Sequence, residues 1–67
     1  MHEQAKEKII STAGLEVATA NIYIGFYEML AGKEENKEKK AGHLVKVDQM
    51  KAIIEHNQSI LDYVNTV

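Results

Sequence analysis

The stretch from Ile9 to Gly32, IISTAGLEVATANIYIGFYEMLAG, decides the fold. Within it Ile10, Ala13, Val17, Ala20, Ile24, Tyr27 and Ala31 follow one another at steps of three and four. That spacing lines up one face of an α-helix. A second apolar line, Leu15, Ile22, Phe26 and Met29, falls on roughly the opposite side of the same helix. One face can fold onto the rest of the chain, and the other needs a different cover. The pattern therefore predicts a helix over about 3–31 and, with it, an oligomer or a partner-binding surface.

Beyond this stretch the chain turns polar. Gly32 sits where a C-terminal glycine cap is expected. The run Lys33 to Lys40 follows, with seven of its eight residues charged and the sign alternating. Such runs are usually solvated, so a polar turn is expected over about 32–36. Asn36 is the candidate N-cap of a second helix, with Glu35 and Lys39 at pairing distance if that helix has already begun. Gly42 offers a later start. The second helix, placed over about 36–65, carries Val47, Met50, Ile54, Asn57, Leu61 and Val64 on one line. Ile53, Ile60 and Val67 widen that line on one flank, and Asp48, Lys51, Glu55 and Asp62 gather opposite. This is an amphipathic helix with one wet face.

There is no proline to interrupt either helix. Two helices of similar length joined by a short turn fold back antiparallel. A turn centred near Lys33–Glu34 sets Ile24 across from His43, Val17 across from Met50 and Ile10 across from Asn57. The expected fold is thus all-α: a single domain over 1–67, a two-helix antiparallel hairpin that dimerises into a four-helix bundle.

Size argues the same way. A chain of 67 residues has a marginal core, because small domains bury only about 60% of their unfolded surface. With no cysteine and no Cys/His cluster, neither disulfides nor structural zinc can supplement it. Oligomerisation is the remaining device.

Composition weighs against several function classes. Ten acids against eight basic residues, all of them Lys, give a net charge of −2. That offers no basic field for nucleic acid and no arginine for bidentate base reading. The Lys- and Ile-rich, Arg-free usage suits an AT-rich bacterial or phage genome. The mixed charges of MHEQAKEK do not read as a signal peptide. The longest uncharged run, Val17 to Tyr27, is eleven residues, against about 20 for a membrane span. A cytoplasmic protein with no membrane partner is expected.

No catalytic, cofactor or metal site emerges. Ser11, Thr12, Thr19, Ser59 and Thr66 lie in helical pattern without a glycine elbow, and no glycine loop follows a strand. The histidines are His2, at a terminus expected to fray, His43, near the turn on the core line, and His56. None belongs to a Glu-x-x-His, His-x-x-x-His or His-Glu-x-x-His motif. Glu16 and Glu28, the carboxylates within the apolar half of helix one, could meet His43 only at a symmetric interface.

The candidate interface residues are therefore Leu15, Ile22, Tyr23, Phe26 and Met29, the aromatics serving as anchors. Gly14, Ala18, Asn21 and Gly25 form a row of mostly small residues that would let another helix approach closely, and Gly25 is expected against a neighbouring helix. Asn57, polar on an apolar line, is the candidate for fixing register or specificity. These features point to a small non-enzymatic protein–protein interaction module, a regulator, adaptor or inhibitor that pairs with itself and with a protein partner. Two other classes fit the pattern: a hairpin-dimer nucleic-acid binder using Lys33, Lys37, Lys39 and Lys40, and a structural subunit of a homo-assembly.

Overall fold

The computed structural model describes residues 2–67; Met1, the first residue of the expected domain, lies outside them. Two α-helices, α1 (Glu3–Lys33) and α2 (Lys37–Val64), form an antiparallel hairpin, and the described residues contain no strand.

Each helix begins on a side-chain cap. The His2 Nδ1 accepts the Gln4 N–H at 3.3 Å, so the residue expected to fray instead supplies the first cap. The Asn36 Oδ1 accepts from the Glu38 and Lys39 N–H groups at 2.9 and 3.1 Å, satisfying two of the free donors of α2. The Asn36 N–H in turn donates to the Glu34 carboxylate at 3.1 Å, which ties the short connection together.

The expected Gly32 cap is not used. No glycine among the described residues takes a positive φ, so α1 runs through Gly32 and ends at Lys33, where a cation faces the negative end of the helix. The Glu34 N–H closes the last turn on the Ala31 carbonyl at 3.4 Å. Only Glu34 to Asn36 remain between the helices, so Glu35 precedes α2 and has no helical turn on which to pair with Lys39.

This later turn resets the register. Its centre lies at Glu35 rather than near Lys33–Glu34. Met50 consequently shares a groove with Ala20 rather than facing Val17. Asn57 lies beside Ala13 and bonds to Glu16 rather than facing Ile10. The core line of α1 starts on Ile9, four residues before Ala13, and Ile10 is left exposed at its edge. The α2 line from Val47 to Val64 is buried or half-buried throughout.

The core is thin. Its fully buried apolar residues are Ala13, Ala20 and Ala31 from α1 and Val47 and Val64 from α2. Alanine on one side lets the α2 side chains approach the α1 backbone, but an alanine buries little apolar area. Ile24, Tyr27, Leu30, Met50, Ile54 and Leu61 are only half-buried. The hairpin is a rod of 51 × 14 × 10 Å with a radius of gyration of 15.4 Å. A compact chain of this length has about 11 Å.

Because Asn36 satisfies two N–H groups at once, Asn36→Ala is expected to lower stability by about 1 kcal/mol. Urea unfolding at fixed protein concentration measures it; no change would mean that α2 starts elsewhere in solution.

Candidate interaction surface

The stripe of α1 that faces away from α2 finds no cover within the chain. Leu15 is 69% and Ile22 73% exposed, and Phe26, Met29 and Tyr23 are also exposed. Tyr27 links this surface to the core. Its ring stacks on Tyr23 at 6.0 Å and meets Phe26 edge-on at 5.5 Å, so the three aromatics form one patch near the turn end of α1.

Part of that surface continues onto α2. Two shallow grooves, each of about 400 Å³, lie along one side of the hairpin and share Glu16. The first lies between Ile9 and Thr12 of α1 and His56 and Ile60 of α2. The second lies between Leu15, Thr19 and Tyr23 of α1 and Met50 and Ile53 of α2. The α2 flank widened by Ile53 and Ile60 is thus the one that borders the grooves.

Between the grooves stands a polar pair. Asn57, 3% exposed, donates from Nδ2 to the Glu16 Oε2 at 2.9 Å and to the Ile53 carbonyl at 2.9 Å. Its amide is thereby satisfied inside an otherwise apolar line, as a buried polar group requires. Sequence reasoning singled out Asn57 but missed Glu16 as its acceptor. The available signal was that Glu16 is the lone charged residue between Ile9 and Tyr27.

The small-residue row lies elsewhere. Gly14, Ala18, Asn21 and Gly25 are exposed, and a Cβ added at Gly14 or Gly25 would meet nothing within 4 Å. The expected neighbouring helix at Gly25 is therefore not α2. On the helical wheel the row lies about 120° from Leu15 and Thr19, well away from the grooves.

The apolar character of α1 extends beyond the eleven-residue uncharged run. α1 contains an 18-residue window of mean hydropathy 1.3 with no more than two charged residues, which is membrane-spanning length and composition, and 11% of that window is buried. The uncharged run understated this because Glu16 alone interrupts the span from Ile9. A carboxylate in the middle of a span costs roughly 3 kcal/mol.

Glu16, Glu28 and His43 do not converge: among the described residues no three His, Asp or Glu side chains are placed to hold a metal ion. No protein-family model, curated protein or solved structure matches the chain.

Since the space around Gly25 is open, Gly25→Ala is expected to raise stability by up to about 1 kcal/mol through reduced backbone entropy in the unfolded chain. A thermal melt gives the sign. A loss of about 1–3 kcal/mol would instead mean that another chain packs against the row.

Proposed function

We propose that this chain is a small, non-enzymatic protein–protein interaction module of the cytoplasm, whose working unit is two hairpins packed as a four-helix bundle. It acts as a regulator, adaptor or inhibitor by occupying a partner's surface.

The observation that carries this reading is surface area. The hairpin exposes 5070 Å², whereas a folded monomer of 7.5 kDa exposes about 4,200 Å². The excess, about 800 Å² per chain, matches the area each partner contributes to a standard protein–protein interface. The exposed surface includes the apolar side chains of Leu15, Ile22, Phe26 and Met29, which helix packing within one hairpin leaves wet. The grooves are shallow and open along the hairpin, which favours binding over catalysis.

Equilibrium sedimentation at micromolar concentration is expected to give a dimer whose melting temperature rises with concentration. Leu15→Lys is expected to yield a helical monomer, because Leu15 is already 69% exposed in the hairpin and a lysine in a dry interface would be an unpaired charge. A wild-type monomer that melts independently of concentration would refute the reading.

By length and composition alone the apolar window of α1 also suits a lipid bilayer. Flotation with phosphatidylcholine and phosphatidylserine vesicles separates the two. The protein is expected to stay with the soluble fraction, and stable recovery with the vesicles would replace the cytoplasmic reading with a membrane one.

A further inference from the structure

We infer that the second copy seats on the grooved face of the hairpin, and that it lies antiparallel, with the turn of one hairpin over the open end of the other. This rests on the self-association proposed above and specifies its geometry.

Two faces compete for the second copy. The back of α1, around Ile22 and Met29, offers apolar side chains from one helix only. The grooved face draws on both helices: Thr19 and Tyr23, with Leu15 at the rim it shares with the back of α1, stand on one side and Met50 and Ile53 on the other. A two-fold contact between grooved faces apposes four helices, while a contact through the backs of α1 apposes two. The uncovered area, about 800 Å² per chain beyond that of a compact monomer of this mass, is what a standard interface needs from each partner. A contact along the whole hairpin, which is 51 Å long, provides it most readily when both helices take part.

Charge sets the orientation. Ala20 and Met50 line one groove and lie equally far along the chain from the turn centre at Glu35, so residues 19–52 form the turn half of the rod and the remainder forms the open half. The turn half holds five acids and six lysines, a net charge of +1. The open half holds five acids and two lysines, a net charge of −3. A parallel pair sets the two acidic halves side by side. An antiparallel pair sets each acidic half against the basic half of its partner. Complementary fields of this kind fix orientation more than they add affinity, and the apolar groove supplies the contact.

The chain has no cysteine, so single cysteines report the geometry without background. Thr19→Cys places a thiol on the grooved face near the middle of the rod, close to the two-fold axis. Ile22→Cys places one on the back. Both residues are exposed in the hairpin, so both variants should fold, as circular dichroism will verify. Under mild oxidation Thr19→Cys is expected to give a disulfide-linked dimer at least tenfold faster than Ile22→Cys. Faster linkage through Ile22, or no linkage through Thr19 in a dimer, overturns the assignment of the face.

A spin label at Glu35→Cys, in the exposed turn, reads orientation by electron–electron dipolar spectroscopy. The expected separation approaches the 51 Å length of the rod. A separation of about 20 Å, two helix diameters, means a parallel pair and overturns the orientation. Sedimentation of the same samples separates the failures. A monomer refutes self-association and this geometry together, whereas a dimer with the wrong linkage or distance refutes the geometry alone.

Discussion

Two helices in contact share a single seam, and everything else about this molecule depends on that constraint. A helix has apolar capacity around its full circumference, but one neighbour covers only about a third of it. In α2 the sequence keeps closer to this limit, with one apolar line and a mostly charged back on which Val45 and Tyr63 are left exposed. In α1 it does not: Leu15, Ile22, Phe26 and Met29 stand outside the seam. The thin core follows from the same geometry. Side chains at a lone seam are flanked by solvent on both sides, so only alanine, valine and the satisfied Asn57 are fully buried. Leucine and isoleucine at neighbouring positions remain half wet.

The connection between the helices shows how local chemistry sets long-range placement. Asn36 fixes the first turn of α2, and Glu34 holds the Asn36 N–H. With α1 continuing through Gly32, three residues remain for the reversal. A shift of the turn centre by little more than one residue moves every pairing between the helices by about twice that amount. It brings Asn57 beside Ala13 and within reach of Glu16.

The two helices and the α2 core line were legible in the sequence because they rest on periodicity over about five to six turns, a signal that tolerates local exceptions. Asn36 was legible for a different reason: its side chain answers a need of the adjacent backbone. The register was not legible, since it depended on whether Gly32 would adopt a left-handed conformation, and glycine is equally able to remain helical. The Glu16–Asn57 bond was hidden for the same reason, because its partners lie 41 residues apart and meet only in the correct register. The exposed stripe of α1 could be read as unpaired with α2, while the continuity of that surface onto Ile53 and Ile60 required the two helices to be placed side by side. The glycine row shows the limit of composition: small residues permit close packing without requiring it, and no α2 atom stands near Gly14 or Gly25.

The Glu16–Asn57 bond also makes the groove a desolvation filter. Asn57 supplies one donor to the Glu16 carboxylate, which has room for several more, and those are met by water while the groove is open. Any occupant that closes over Glu16 must replace that water with donors of its own or leave a charged oxygen stranded in an apolar seam, at a cost of several kcal/mol. Greasy surfaces of the right width are therefore not sufficient occupants. A purely hydrophobic occupant fits this groove less well than one that also brings a hydroxyl or an amide opposite Glu16.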